Sequence, residues 1–460
     1  MAESLERFVG AAMDDAPLTK THYGIFGLIA AGYFFDIADV VVYGALVPGL
    51  LKSHFMTPGQ VALVGSATMF GLAIGAAGQG EFTDRFGRKT VYQFNLLLFG
   101  LATLAAAMSP NYVWLAVLRF LAGIGLGAEQ PLCYAYAGEY APKRIRGRIL
   151  AGIHFIGGAC PWPISTLFVL FFAGALGWRG VYATIGVGAL TVFVLRFALP
   201  ESPRWLVTHG KGQKAVDILG RMKLPVPSAE QNLVAESTNV AVKDPLLIVL
   251  RKYPLRVVAG MVCFVAFFGV AVGLSVWLPN LMNQTRGMTI TKSLTYTLGM
   301  NFAVPCASAF MMFAIERFGR KKLSMISYVL SGLCAVLFVH TSTSTALLIA
   351  GFWMIFFLQL AGNTMQIMAS EVFPTSARAT GFGLASGVGR LGAAFIIPAI
   401  LWIQNGYGTN AVFAAVAATL GIAAAFVMLL GPEACGKALE ELVKRDDVAE
   451  PKEIAVAADR

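Results

Sequence analysis

The sequence predicts an all-helical integral membrane protein with twelve transmembrane helices, arranged as two six-helix repeats. Of its 460 residues, 57% are hydrophobic and 13% are charged, whereas soluble globular proteins have about 25% charged residues. Apolar runs of about 20 residues, the length that crosses a bilayer as a helix, recur from end to end. The two halves of the chain also share motifs at a fixed offset.

The apolar runs give twelve candidate spans. Their predicted starts lie near Tyr23, Gln60, Thr90, Tyr112, Gly147, Trp178, Leu255, Thr291, Leu323, Ser344, Ala379 and Asn410. Residues 1–20 are of mixed polarity, include four acidic residues and lack the apolar segment of a signal peptide. We therefore expect the first run to be a retained helix.

The loops on one side of the predicted membrane carry most of the cations. These residues are Arg85, Arg88 and Lys89, then Lys143, Arg144, Arg146 and Arg148, then Arg317, Arg320, Lys321 and Lys322. Loops on the other side are nearly free of Lys and Arg, so the positive-inside rule predicts that the cationic loops and both termini are cytoplasmic. The net charge of +10 is explained by this asymmetry and indicates no nucleic-acid partner.

Motifs of the first half return in the second half. The segment "FTDRFGRKT" at 82–90 reappears as "AIERFGRKK" at 314–322, an offset of 232 residues. At the same offset, Glu139 and Arg146 correspond to Glu371 and Arg378. We expect a six-helix bundle at 1–200, a cytoplasmic linker at 201–254, a second bundle at 255–432 and a cytoplasmic tail at 433–460. Parallel repeats of this kind are typical of transporters, whose substrate site lies between the halves.

The linker is polar and cationic at 203–223, with apolar residues at spacings that favour short amphipathic helices beneath the membrane. A ligand-binding regulatory domain is the alternative interpretation. About fifty residues hardly provide an independent core, which favours the helices.

Several motifs together resemble the major facilitator superfamily over nearly the whole chain. They are the D-R-x-G-R-K loop, its E-R-x-G-R-K copy, "RFLAGIGLGAEQP" and "PESPRWL". "DIAD", followed by Gly44 and Pro48, is similar to the first-helix motif of the aromatic acid:proton and related metabolite:proton symporters. The resemblance implies the twelve-helix fold, transport by alternating access, and a first helix that faces the fourth across the cavity.

The repeated loop motifs combine tight-turn glycines with acids and bases. Charge-assisted hydrogen bonds among them would latch helix ends together, and the resemblance implies that such loops stabilise one gate state. Plain anchoring by surface cations is the alternative. The predicted gate residues are Asp84, Arg85, Gly87, Arg88, Glu139, Arg146, Glu316, Arg317, Gly319, Arg320, Glu371 and Arg378.

Asp36 and Asp39 lie three residues apart near the middle of the first span, so both project from one helix face. A carboxylate in hydrocarbon is costly and marks a functional candidate. We expect an ion pair with Arg119 of the fourth span, in which the carboxylate loads and releases a proton. A permanent structural ion pair is the alternative.

Two further ionisable residues have open roles. Glu129 in the fourth span is interpreted as a second proton site, as the counter-ion of a cationic substrate, or as a packing residue bonded to Arg119 or a backbone group. His154 in the fifth span either relays protons or binds substrate, or is a hydrogen-bonded cavity histidine.

Arg390 is the ionisable residue of the eleventh span and is a candidate carboxylate clamp. Its alternative is snorkelling to the inner surface. Gln359, Asn363 and Gln366 in the tenth span fall at intervals of four and three, which aligns three amides on one stripe. Further candidates for the walls of a substrate site are Asn301, Tyr296 and Trp277 on one side, and Tyr33, Tyr43 and Trp162 on the other.

The sequence contains no nucleophile elbow, zinc-protease motif or phosphate-binding loop, and its five histidines are too dispersed to indicate a metal site. We expect no enzyme activity and no cofactor. The predicted function is symport of a small organic anion with protons by a monomer in the cytoplasmic membrane. A transporter of a cationic or neutral metabolite, such as an amine or sugar, is the alternative, as is a passive channel or a transporter-like sensor.

Overall fold

The structure is a computed structural model that describes residues 5–227, 254–372 and 378–430. The rest of the predicted linker and the predicted tail at 433–460 lie outside these residues. Within them, every regular element is helical. The elements before residue 228 are α1 (Leu5–Asp14), α2 (Lys20–Lys52), α3 (Pro58–Phe86), α4 (Arg88–Ala106), α5 (Tyr112–Tyr140), α6 (Arg146–Ile153), α7 (Pro161–Leu195), α8 (Pro203–Thr208) and α9 (Gly212–Arg221).

The second half begins at residue 254. Its helices are α10 (Pro254–Arg286), α11 (Ile290–Asn301), α12 (Ala303–Phe318), α13 (Arg320–His340), α14 (Ser344–Val372) and α15 (Arg378–Leu430). In the first half, a π-helical turn (His154–Ala159) joins α6 to α7. A 3₁₀ turn (Arg196–Ala198) ends the last membrane helix of that half.

Twelve helical segments cross the bundle. Nine stretches of the described residues are long and apolar enough to span a membrane. Two of them, Lys143–Ala198 and Gly383–Leu429, are broken once each, at Gly177 and Gly408. Both glycines have positive φ, 64° and 80°, a conformation that side chains disfavour. The two breaks divide the nine stretches into eleven helical segments, and α4 is the twelfth. Each predicted start lies within three residues of an observed start or break.

Local signals fix several helix ends. Thr57 accepts a hydrogen bond from the backbone N–H of Gln60, and Pro58 occupies the first turn of α3, where its missing N–H costs nothing. Asn111 caps α5 by accepting from the backbone N–H groups of Val113 and Trp114, both at 3.1 Å. These caps satisfy donors that a helix start otherwise leaves open.

The helices form two bundles that meet mainly along three helix pairs. In the first bundle, α3 and α4 pack on α5, and α2 and α4 pack on α7. In the second bundle, α10 and α13 pack on α15, and α12 and α13 pack on α14. Between the halves, α3 contacts α15, α2 contacts α10, and α7 contacts α11. We call the end that carries α1, α8 and α9 the α1 face, and the opposite end the distal face.

The short helices on the α1 face pack beneath the first bundle. Val9 and Met13 of α1 are fully buried and share an apolar cluster with Leu206 and Leu219 of α8 and α9. Asp14 forms ion pairs with Arg146 at 2.5 Å and with Arg204 at 2.7 Å. In the described part of the linker, short amphipathic helices are therefore present.

Candidate functional site

A polar stripe on α2 faces the interior of the first bundle. Gly32, Asp36, Asp39 and Tyr43 are spaced by four, three and four residues, which places them on one helix face. Asp36 is 5% exposed and Asp39 is fully buried. Both carboxylates thus lie inside the bundle rather than at its ends.

Asp39 forms a buried ion pair with Arg119 of α5. A guanidinium nitrogen of Arg119 lies 2.5 Å from Asp39 Oδ2, and both side chains are at most 1% exposed. The hydroxyl of Thr103 donates to Asp39 Oδ1 at 3.4 Å. The rings of Tyr43 and Tyr182 flank the guanidinium at 5.7 and 5.6 Å. The pair is neutral as a unit and is enclosed by protein on all sides.

Glu129 pairs with Arg196, and not with Arg119. A guanidinium nitrogen of Arg196 lies 2.5 Å from Glu129 Oε1, and both side chains are at most 3% exposed. The guanidinium also stacks on the ring of Tyr92 at 3.7 Å. A Cβ at Gly32 would lie 1.6 Å from the Arg196 side chain, so only glycine leaves room for it on α2.

Asp36 lies between these two ion pairs and belongs to neither. Among the described residues, none forms a hydrogen bond or an ion pair with it. The charged groups that act on it are Glu129, Asp39 and Arg390. Only Arg390 attracts the carboxylate, and it belongs to the other half of the protein.

Arg390 lies on α15 and is 5% exposed, which excludes snorkelling to a membrane surface. Its guanidinium donates to Gln130 Oε1 at 2.9 Å and to Ser386 Oγ at 3.1 Å, and it lies over the ring of Phe268 at 5.1 Å. No acidic group of the described residues comes within ion-pair distance. Its positive charge is thus hydrogen-bonded but not neutralised.

Gln130 of α5 links the two halves. Its Oε1 accepts from Arg390, and its Nε2 donates to the hydroxyl of Tyr33 at 3.2 Å and to Oε1 of Gln366 on α14 at 3.1 Å. This role could not be predicted from the sequence, because an amide beside Glu129 has many possible orientations. Gln130 is therefore a site residue that the sequence analysis missed, as is Arg196.

The amide stripe predicted for the tenth span lies on α14. Gln359 donates to Asn363 at 2.8 Å, and Asn363 donates to Ser308 of α12 at 3.2 Å. Gln366 continues the stripe one turn further and crosses to Gln130. The three amides share one face of α14, and two of them reach the interface between the halves: Gln359 lines the cavity there, and Gln366 contacts Gln130.

His154 begins the π-helical turn between α6 and α7. Its Nδ1 lies 2.7 Å from the hydroxyl of Tyr134, and the ring of Tyr33 packs beside it. A Cβ at Gly157 or Gly158 would lie 2.9 Å from Tyr33 side-chain atoms. Single π turns often occur at functional sites, and this one brings His154 toward the interface while its glycines admit Tyr33.

A small cavity lies between the halves, on the distal side of Asp36. Its volume is about 30 Å³, room for one or two water molecules. Thr166 of α7 accepts a hydrogen bond from Asn301 of α11 across it, at 2.9 Å. The walls comprise Val41, Ala45, Trp162, Thr166, Ala271, Leu274, Ser275, Leu278, Pro279, Thr297, Asn301, Val304, Ile355, Leu358 and Gln359. The halves must separate before an organic molecule can enter.

Three aromatic residues predicted for the site pack elsewhere. Tyr43 is buried against Arg119, and its hydroxyl donates to the carbonyl of Val61 at 2.6 Å. Trp277 donates from its indole to the carbonyl of Ile397 within the second half. Tyr296 packs against the apolar core and does not line the cavity. Each residue therefore contacts protein groups that spacing along its own helix does not reveal, and its role in a substrate site stays a prediction.

The loops of the α1 face contain part of the predicted gate. Gly87 and Gly319 have φ of 93° and 78°, as tight reversals require. Arg88 pairs with Glu139 at 3.1 Å, whereas Arg146 pairs with Asp14. In the second half, Arg317 is exposed and Arg320 is half-buried. The side chains of Asp84, Arg85, Glu316, Glu371 and Arg378 lie outside the described part of the chain.

Comparison with known proteins places this geometry in a family. Residues 42–444 match the family described as "Sugar (and other) transporter". The niacin transporter NiaP of Acinetobacter baylyi is 28% identical over 94% of this chain and 98% of its own. The 4-hydroxybenzoate transporter PcaK of the same organism is 32% identical over 84% of this chain and 85% of its own.

Solved structures show the same fold. The xylose transporter XylE from E. coli, in a partially occluded inward-open conformation, has a TM-score of 0.75 at 20% sequence identity. The similarity covers 91% of this chain and all of that one. At this identity the match concerns the fold alone. The chain therefore belongs to the sugar (and other) transporter family, and it is a multi-pass membrane transporter of the major facilitator superfamily, not an enzyme.

Proposed function

We propose that this protein is a proton-coupled symporter that imports a small organic anion, an aromatic or aliphatic carboxylate, by alternating access. The observation that carries the proposal is a pair of unneutralised charges on opposite halves. Within the part of the chain that the structure describes, Asp36 has no hydrogen-bond or ion-pair partner, and Arg390 has no acidic ion-pair partner. Each is therefore available to a ligand or to the other.

Arg390 is the proposed substrate clamp. A guanidinium presents several N–H donors in a plane and binds a carboxylate through two contacts at once. Gln130 and Ser386 hold the guanidinium but supply no negative charge. A substrate carboxylate would provide the missing charge, and the amides of Gln130 and Gln366 would surround it.

Asp36 is the proposed proton carrier. When the site is empty, burial and Glu129 disfavour the ionised carboxylate of Asp36, and the attraction of Arg390 opposes them. A bound substrate anion competes for that attraction, and two carboxylates facing one buried guanidinium leave one negative charge uncompensated. Protonation of Asp36 removes the excess charge. The anion is therefore carried together with a proton.

Asp39 and Glu129 have different proposed roles from Asp36. Each already has an arginine partner in hydrogen-bond contact, so neither depends on a substrate or a proton to balance its charge. The pairing of Glu129 with Arg196 also occupies the carboxylate that was the candidate anchor for a cationic substrate. This observation favours an anionic substrate over an amine.

The apolar residues around the central cavity favour a substrate with an apolar body, which would enter once the halves separate. Val41 follows Asp36 by five positions on α2, a rise of about 7.5 Å at 1.5 Å per residue. Val41 lines the cavity with Trp162 and Ile355. A ring attached to a carboxylate has a similar length. The relatives named as niacin and 4-hydroxybenzoate transporters support a carboxylate on a ring as the first substrate to test.

The orientation and location belong to the same proposal. The α1 face carries the cationic loops and would lie in the cytoplasm, with both termini on that side. A relative is named as an inner-membrane transport protein of Escherichia coli, which supports the cytoplasmic membrane. We propose a monomer, because the polar interface described above lies between the halves of one chain.

Transport by purified protein in liposomes tests the proposal. Radiolabelled 4-hydroxybenzoate should accumulate when the outside is acidic, and a pH dye inside should report proton entry in step with the substrate. Collapsing the gradient should stop accumulation but not counterflow. Flux that ignores the gradient and shows no counterflow would indicate a passive channel. Binding without flux would indicate a sensor.

A further inference from the structure

A second cavity opens on the distal face, within the C-terminal half. Its volume is about 460 Å³, within the range of small-molecule sites. It lies where α10 and α13 end, where α14 begins, and beside the glycine break of α15. Its walls comprise Leu281, Met282, Arg286, Phe338, Val339, Leu347, Tyr407, Gly408, Thr409, Asn410 and Phe413.

Most of the residues around the cavity are apolar in type, but its exposed lining also includes polar groups and one cation, Arg286. The rings of Phe338 and Phe413 pack at 4.9 Å and form one side. Arg286 donates one hydrogen bond to the carbonyl of Val339 at 3.1 Å, which leaves further N–H donors of its guanidinium available. No acidic residue lines the cavity, and Arg286 has no ion pair within the described residues.

This cavity is separate from the central site. Tyr407 follows Arg390 by seventeen positions on α15, which is about 25 Å at 1.5 Å per residue. The lining residues of the two cavities do not overlap. Occupancy of one is therefore compatible with occupancy of the other.

We propose that the distal cavity is a second binding site for an organic anion, with the carboxylate on Arg286 and the apolar body against Phe338 and Phe413. The proposal rests on the proposed function, because the substrate of the central site has this same chemistry. Tyr407 and Asn410 line the same cavity, and the proposal assigns their hydroxyl and amide as donors to the second carboxylate oxygen. The distal face is the proposed outer face, so this site would be met first during import.

An anionic phospholipid shares the chemistry of a negative group on an apolar body, so the experiment must distinguish the two sources. Equilibrium binding of radiolabelled 4-hydroxybenzoate is measured on full-length protein in nanodiscs of phosphatidylcholine alone and in nanodiscs that also contain phosphatidylglycerol. The native protein should bind two molecules per chain in phosphatidylcholine. Arg286→Gln and Arg390→Gln should each bind one, and the double variant none.

Two controls accompany Arg286→Gln. Lys292→Gln removes another exposed cation at the distal end, outside the cavity, and should still bind two molecules. Tyr407→Ala changes a wall residue that is 69% exposed, so it should fold normally and weaken the distal site selectively. If Arg286→Gln is unstable, Tyr407→Ala still tests the distal site.

Unchanged stoichiometry and affinity in both Arg286→Gln and Tyr407→Ala would overturn the distal site. Two results together would overturn it in favour of a lipid. The native protein would bind one molecule of 4-hydroxybenzoate in phosphatidylcholine, and native mass spectrometry would find phosphatidylglycerol on the native protein but not on Arg286→Gln. Failure of the proposed function looks different, because binding would then be insensitive to Arg390→Gln while Arg286→Gln still removes one molecule.

Discussion

Gly44 of α2 lies directly against the backbone carbonyl of Ser275 on α10. A Cβ at position 44 would come within 2.1 Å of that oxygen, closer than any side chain tolerates. The contact joins the two halves, and the neighbouring residues Ala45 and Ser275 line the central cavity. The distal closure of the cavity therefore depends on two helix backbones meeting without a side chain between them.

Gly44→Val should prevent this closure, because α2 and α10 must move apart to admit the new side chain. We expect binding of 4-hydroxybenzoate from the distal side to persist while transport falls at least about tenfold, a barrier change of about 1.4 kcal/mol. Gly49→Ala is the matched control, since nothing lies within 4 Å of its Cβ position on the same helix. Normal transport by Gly44→Val would show that the contact is not part of the cycle.

Asp36→Asn should separate proton coupling from substrate movement. The variant loses the group that takes up the proton but leaves both buried ion pairs intact, so its thermal stability should be close to native. Counterflow of 4-hydroxybenzoate should continue, while uphill accumulation in an acid-outside gradient should be lost. Equal loss in both assays, with normal folding, would reassign Asp36 to substrate binding.

Asp39→Asn should act mainly on stability. It leaves the Arg119 guanidinium buried without a counter-ion, and breaking one side of a buried pair costs about 3–5 kcal/mol. We expect a clear fall in apparent Tm, partly recovered in the double variant Asp39→Asn with Arg119→Leu. A stable Asp39→Asn protein that fails only in uphill uptake would instead make Asp39 a proton carrier.

Arg390→Lys should weaken binding although the charge is kept, because an ammonium cannot make a planar two-point contact with a carboxylate. The loss should be about tenfold or more in Kd, corresponding to about 1.4 kcal/mol. Isothermal titration with 4-hydroxybenzoate measures it, and Ser386→Ala, which removes one neighbour of the guanidinium, is a milder companion. Native affinity in Arg390→Lys would exclude the clamp.

Glu129→Gln tests the sign of the substrate. The structure pairs Glu129 with Arg196, so the change should lower thermal stability by leaving that guanidinium buried and unpaired. In protein that remains folded, affinity for 4-hydroxybenzoate should stay within about threefold of native, about 0.65 kcal/mol. Loss of all ligand binding, combined with binding of an amine by the native protein, would support a cationic substrate instead.

The positions of the transmembrane spans could be predicted from the sequence because the signal for each span is local. Apolar runs and caps such as Asn111 lie within the helix that they define, so the starts were predicted to within three residues. The meeting of Asp39 with Arg119 was also predictable, since buried opposite charges on two facing helices have few alternatives. The amide stripe of α14 followed from helical spacing alone.

The missed contacts depend on partners that lie far away along the chain. Arg196 lies at the end of the last membrane helix of the first half, a position typical of an anchoring cation. Its side chain turns inward because Gly32, 164 residues earlier, leaves space beside Glu129. In the sequence, Trp277 and Tyr43 are equally compatible with lining a cavity and with packing inside a bundle. The structure shows their hydrogen-bond acceptors, the carbonyls of Ile397 and Val61 respectively. Helix α1 was missed because its apolar face covers only three turns.

The docking of α1 has a consequence for synthesis of the chain. Asp14 binds Arg204, which is made 190 residues later, after the last membrane helix of the first half. At about 5–20 residues per second, the ribosome leaves α1 without this partner for about 10–40 s. During that interval Val9 and Met13 lack their apolar surface, and the helix is open to chaperones or to premature contact with lipid. Completion of α8 and α9 then marks the moment at which the first half of the protein can close as a unit.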